Sequence, residues 1–190
     1  MKKIRQALIS VSDKNKLEKI LKILKKFNIK IISSGGTYNQ IKKLGYETKE
    51  ISKFTNSSEI LEGRVKTLHP KVHAGILNKR NNKNHKKQMR LFKYENIDLV
   101  IVNFYPFEKT LAKTKNSKTI IENIDIGGPA LVRAAAKNYN DVTVITNIEQ
   151  YNDLIIELQK NKGSTSIEFR EKLSEEAFSE TAYYDSIINN

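Results

Sequence analysis

The 190-residue chain has no cysteine, no tryptophan, three prolines and eight glycines. Without cysteine it can form no disulfide framework, no thiolate zinc site and no cysteine nucleophile. So little Gly and Pro excludes collagen-like and low-complexity classes. No apolar run approaches the ~20 residues of a transmembrane helix. Met1-Lys2-Lys3-Ile4-Arg5 has the charge of a signal n-region. The apolar run behind it, Ala7 to Val11, contains Ser10 and is soon followed by Asp13, too short for an h-region. The expectations are therefore a cytoplasmic location and no membrane partner.

Acids are scarce as well: 21 Asp and Glu stand against 34 Lys and Arg, a net charge of +13. The excess is mostly lysine spread along the chain. Its densest stretch, Lys79 to Lys93, has seven basic side chains and no acid. It lacks aromatic interleaving and a recognition motif, so it reads as a solvated basic helix and not as a nucleic-acid surface. What is present, 38% hydrophobic and 29% charged residues, belongs to a globular chain long enough to bury about 70% of its unfolded surface without staples.

Short β-branched runs alternate with amphipathic stretches, the pattern of an α/β protein. Gln6 to Val11, Ile29 to Ser33, Asp98 to Asn103 and Val142 to Thr146 read as buried strands. Leu17, Ile20, Leu21 and Leu24 recur at helical spacing, with Asp13 placed to cap that helix. Thr37 to Leu44 reads as a short helix, and Gly127-Gly128-Pro129 opens another running to Lys137. Right-handed crossovers then give a doubly wound, mainly parallel sheet with helices on both faces. From Ile148 onwards the pattern is helix only, broken at Gly163-Ser164-Thr165.

Ligands of such sheets bind beyond the carboxyl ends of the strands, which is where the chemistry-bearing segments fall. Ser34-Gly35-Gly36-Thr37 has the parts of a phosphate cradle: glycines that admit an anion to backbone amides, hydroxyl donors and a helix N-terminus behind. Ser12-Asp13-Lys14 lies on the neighbouring turn, where Lys14 would add a full charge. No Walker or G-x-G-x-x-G pattern is present, so a phosphomonoester is the economical ligand. In Arg64-Val65-Lys66-Thr67-Leu68-His69-Pro70, an extended backbone would project Arg64 and Lys66 to one side. His69 and His73 stand four apart, but Pro70 between them and the lack of a Glu or third ligand argue against metal. On the Gly127 helix, Arg133 and Lys137 stand i,i+4, a spacing at which like charges repel.

Together these segments resemble the IMP cyclohydrolase family, the N-terminal part of the bifunctional purine biosynthesis enzymes. The resemblance rests on Ser10 to Lys14, Ser34 to Thr37, Gly63 to His73, Asn103-Phe104-Tyr105-Pro106-Phe107, Asn123 to Pro129 and Arg133 to Asn138, in that order. It implies a methylglyoxal-synthase-like fold over residues 1–147, then a helical extension over 148–190 leading to a transformylase domain. It also implies ring closure of 5-formamidoimidazole-4-carboxamide ribotide to IMP, without cofactor or metal, in a chain that forms a homodimer. Ser12, Lys14, Ser34, Gly35, Gly36 and Thr37 would hold the phosphate, with Asp13 among the substrate-binding residues. Arg64, Lys66, Thr67, the backbone of Val102 and Asn103, and Asp125 with Ile126 and Gly127 would hold the base, with Gly128 also at the substrate. Lys137 would be the proton donor and acceptor, with Lys66, Tyr105 and Asp125 beside it. Phe54 to Glu59 lacks the Gly-Phe-Pro common in the family at that loop. The rival readings are a methylglyoxal-synthase-like phosphoester lyase and a small-phosphate-binding regulatory module.

Overall fold

The computed structural model describes residues 1–105 and 107–189. In chain order its elements are β1 (Lys2–Lys3), β2 (Gln6–Val11), α1 (Leu17–Lys26), β3 (Lys30–Ser33), α2 (Gly35–Lys43), β4 (Lys49–Glu50) and α3 (Ile51–Thr55). There follow α4 (Pro70–Leu77), α5 (Lys83–Leu91), β5 (Leu99–Asn103), α6 (Phe107–Lys113), α7 (Ser117–Glu122) and α8 (Gly127–Lys137). β6 (Thr143–Ile145), α9 (Tyr151–Lys160), β7 (Ser164–Thr165) and α10 (Ile167–Asn189) complete the order.

Five strands form one parallel sheet in the order β4-β3-β2-β5-β6. Leu8 pairs with Ile32 on one side and Val100 on the other. Ala7, Leu8 and Ile9 of β2 and Leu99 to Val102 of β5 are buried on both faces, the continuous run expected of parallel strands covered on both sides. After β4 the chain returns to the far side of β2, so strands are added first in one direction and then in the other. Right-handed crossovers thereby put α1 and α8 on opposite faces. The reversal lies between β2 and β5 and opens the crevice in which a ligand sits.

Two sequence expectations need correction. The segment after Ile148 is not all helix: Ser164 and Thr165 pair antiparallel with Lys3 and Lys2. A two-residue strand has no periodicity to read, and its partner lies at the other end of the chain. Asp13 does not cap α1 either. Its Oδ1 accepts from the Asn15 amide at 2.8 Å, and the helix instead starts after Lys16 in a left-handed conformation with no side-chain cap. Within the basic stretch, no residue of α5 is buried, as a solvated helix requires, but Arg80 ahead of it is folded inward onto backbone carbonyls.

Candidate active site

The crevice is closed at its floor by Asn103, the last residue of β5. Its Oδ1 accepts from the Ser12 and Asp13 amides at 2.7 and 2.9 Å, and its Nδ2 donates to the Asp13 carbonyl at 3.0 Å. One side chain thus ties the loop after β2 to the end of β5 across the switch point, through three hydrogen bonds. Thr37 does the same for α2: its Oγ1 accepts from the Val11 amide at 2.9 Å and donates to the Val11 carbonyl at 3.1 Å. The side chains of both residues are occupied in shaping the loops; for Asn103 the expected ligand contact was through its backbone.

The cradle forms around the N-terminus of α2. Ser34 precedes it with extended backbone and no side-chain cap, and its hydroxyl shares a 3.3 Å hydrogen bond with Ser10. Gly35 adopts φ +48°, and a Cβ there would stand 2.8 Å from Lys66 Nζ. The positive φ favours glycine at this position, and the missing side chain leaves room for the lysine head. A Cβ on Gly36 would stand 3.8 Å from Lys14 Nζ, and that ammonium also donates to the Ser12 carbonyl at 3.2 Å. Two lysines from different segments therefore converge on the free amides of one helix start, which already favours negative charge.

Arg64 and Lys66 do not project together as expected. Leu61, Glu62 and Gly63 adopt φ of +53°, +55° and +90° in succession, and Ile60 bridges Val65. This tight turn replaces the extended backbone on which the shared direction depended. Arg64 turns outward to pair with Glu122, its Nε 3.2 Å from the Glu122 Oε1. Lys66 turns inward to Gly35 and pairs with Glu59 at 2.9 Å.

Thr67 is buried, and its hydroxyl lies 2.8 Å from where a Gly127 Cβ would stand. This contact brings the turn before α8 to the cradle side of the crevice. Asp125 Oδ1 accepts from the Gly128 amide at 2.8 Å, and the Asp125 amide donates to Tyr184 Oη at 2.8 Å. Burial pushes the Asp125 carboxyl above its usual range, and the Gly128 amide only partly offsets this. A side chain on Gly128 would collide with that carboxylate. Val102 is buried within β5, so only its backbone is available to a ligand, while Ile126 and Tyr105 are exposed. Pro106 of the same motif lies outside the described residues. On the β6 side of the Asn103 clamp a cleft of about 590 Å³ opens, lined in part by Ser12, Phe104, Tyr105 and Tyr183.

Lys137 is separated from these groups. It ends α8, and an eleven-residue helix sets it about 15 Å along the axis from Gly127. The adjacent Asn138 donates to the Ile76 and Asn78 carbonyls, at the amino-end pole of the sheet. Helical spacing placed Lys137 on a flank; the direction of the helix took it away from the site. The two histidines are structural, His69 Nδ1 accepting from the Lys71 amide at 3.1 Å and His73 Nδ1 lying 3.4 Å from the His69 carbonyl. No group of three metal-ligating side chains occurs among the described residues.

Sequence reasoning missed Glu59 and Tyr184. Glu59 sits in a loop whose sequence is unremarkable, and Tyr184 lies in an apolar helix end with no catalytic signature. Their partners, Lys66 and Asp125, are more than five residues away in one case and nearly sixty in the other.

The structure is thus an α/β domain whose parallel sheet presents an uncapped helix start, flanked by Lys14 and Lys66, at the carboxyl end of β3. Residues 16–130 match the model of the MGS-like domain, and the chain belongs to that family. Residues 135–190 match a second model, the AICARFT/IMPCHase bienzyme. The chain is 50% identical over 186 residues to the bifunctional purine biosynthesis protein PurH of Persephonella marina, covering 98% of this chain and 36% of that protein. It is 45% identical over 189 residues to the PurH of Bradyrhizobium diazoefficiens, again covering 36% of the relative. It therefore spans about a third of the length of these relatives. The crystal structure of ForH superposes with a TM-score of 0.86 at 30% identity, over 98% of this chain and 97% of ForH. No helix among the described residues is long and apolar enough to cross a membrane.

Proposed function

We propose that this chain is an IMP cyclohydrolase of the cyclic-amidine hydrolase class, closing 5-formamidoimidazole-4-carboxamide ribotide to IMP in the cytoplasm as the last step of purine synthesis. Residues 1–147 are read as the catalytic domain and 148–190 as its helical extension, ahead of a transformylase domain in a longer, homodimeric protein. The convergence of Lys14 and Lys66 on the Gly35–Gly36 helix start, beside the Asp125 turn, is the observation that carries this reading.

The ribotide phosphate enters the cradle, where Lys14, the α2 amides and the Ser34 hydroxyl receive it. Glu59 competes for Lys66 until a ligand is bound. The carboxamide nitrogen must then attack the formyl carbon, a poor nucleophile meeting a poor electrophile. Holding the two coplanar and close supplies much of the acceleration. The carboxamide nitrogen loses one proton as its bond to the formyl carbon forms, and the formyl oxygen gathers charge and is protonated to a hydroxyl. The formamide nitrogen then gives up its proton as the ring C=N bond forms, and the oxygen, protonated a second time, departs as water. Asp125, its carboxyl raised by burial, suits the proton-accepting step. Lys66 faces the developing oxyanion together with the Gly127 amide, because the Gly128 amide is committed to Asp125, Pro129 has none, and the Ala130 amide bonds to Ile126. Tyr105, exposed at the crevice rim, is a second proton donor. No cofactor, metal or nucleic acid enters this scheme.

The match to the MGS-like model favours one rival, a lyase acting on a small phosphoester. It would use the same cradle and leave the Asp125 turn without work. Incubating purified chain and chelator with the formylated ribotide should produce the absorbance of IMP. Release of inorganic phosphate from a triose phosphate, with no IMP formed, would establish the lyase instead.

A further inference from the structure

We infer that Tyr184 of α10 is a positioning residue for the reaction, holding Asp125 in register with the loop after β5; the inference rests on the cyclohydrolase reading. Its hydroxyl accepts the Asp125 amide at 2.8 Å, while Gly128 donates to the carboxylate of the same residue. Asp125 is thus held at its backbone by α10 and at its side chain by α8. The Tyr184 ring is 4% exposed, lying 5.0 Å from the Phe104 ring and 6.2 Å from that of Phe107. One side chain therefore joins the segment bearing Tyr105 to the turn bearing Asp125.

The lever behind it is rigid. Further back on α10, Arg170 donates to the Tyr139 and Asn140 carbonyls and Ser174 to the Ala136 carbonyl, all at the far end of α8. α10 therefore grips α8 at both ends, and a displacement of α10 moves Asp125. The residues gripped at the site fall within the segment matching the MGS-like model, and Tyr184 within the segment matching the bienzyme model. The site is incomplete without the extension.

Tyr184→Phe keeps the ring packing and removes only the acceptor. Its melting temperature should fall by a few degrees at most, the cost of one partly buried amide losing its acceptor. Its affinity for IMP should stay close to that of the parent chain, because the phosphate cradle is untouched. Its kcat should fall about tenfold with KM nearly unchanged, the cost of a loosened catalytic geometry. An unchanged kcat would overturn the inference. Hydrogen exchange at the Asp125 amide gives a reading that does not depend on turnover. If the parent chain makes no IMP, faster exchange at that amide in Tyr184→Phe still supports the positioning contact, and equal exchange overturns it.

Discussion

The two poles of the sheet hold their cations in opposite ways. At the amino ends of the strands, Arg80 and Arg170 are spent on the chain's own backbone. Arg80 donates to the carbonyls of Asn78, Gly75 and Ile97 at 2.6, 3.1 and 2.8 Å, with the Asp98 carboxylate 3.6 Å away. Arg170, 2% exposed, donates to Tyr139, Thr165 and Asn140. Burial lowers both guanidinium pKa values, yet arginine remains charged because its starting value is so high. At the carboxyl ends, Lys14 and Lys66 stand over glycines beside amides that no side chain caps. A buried guanidinium that spends most of its donors on carbonyls is part of the fold. Lys14, with one contact to the Ser12 carbonyl, and Lys66, paired with Glu59, keep donors for an anion beside free amides.

The comparison can be broken by exchanging the consequences of mutation at the two poles. Lys66→Ala should have the largest effect, lowering kcat by about 10²–10⁴-fold and weakening IMP, with the melting temperature close to that of the parent. Steady-state kinetics and thermal unfolding on the same preparation check this. Arg170→Met should do the reverse. Leaving buried carbonyls without donors costs about 1–3 kcal/mol each, so the melting temperature should drop by many degrees. Where folded protein remains, IMP affinity should be retained; a stable Arg170→Met variant would show that the amino-end pole is not the lock described above.

Lys14→Ala tests the cradle alone. A charged hydrogen bond is worth about 1.5–3 kcal/mol, so nucleotide affinity should fall by roughly one to two decades, with inosine affinity unaffected. Titration calorimetry with both ligands separates the phosphate term from the base. The smallest effect is expected for Lys137→Ala, which by position belongs to the structural pole. Its kcat should change by less than about threefold, as for a surface substitution. A loss of 10² or more would show that a second copy brings its α8 end to the crevice, and would join the two poles through the dimer.

Much of this fold was legible beforehand. Gln6 to Val11 is β2 residue for residue, and Gly127 to Lys137 is α8, because a run buried on both faces and a Gly-Pro helix start are local signals. The cradle was legible for the same reason, since glycines adjacent in sequence stay adjacent at a helix start. The loop after α3 retains a left-handed turn through Asn56 at φ +60°, although the family's glycine is missing there. The pairing of β7 with β1, the divergence of Arg64 from Lys66 and the reach of Tyr184 were not legible. Each depends on a partner far away in the chain or on successive positive φ angles at residues that carry no turn signature.

By itself the sequence determined where most strands and helices would fall, that strand ends would carry the polar motifs, and that a pair of adjacent glycines would open a helix. These follow from periodicity, backbone permissiveness and charge, all properties of neighbouring residues. Only the tertiary structure decided which lysines meet at the cradle, that Asn103 and Thr37 serve the loops, and that Lys137 stands at the opposite pole. Those outcomes depend on strand order and helix direction, which bring distant residues together or hold near ones apart according to how the whole sheet packs.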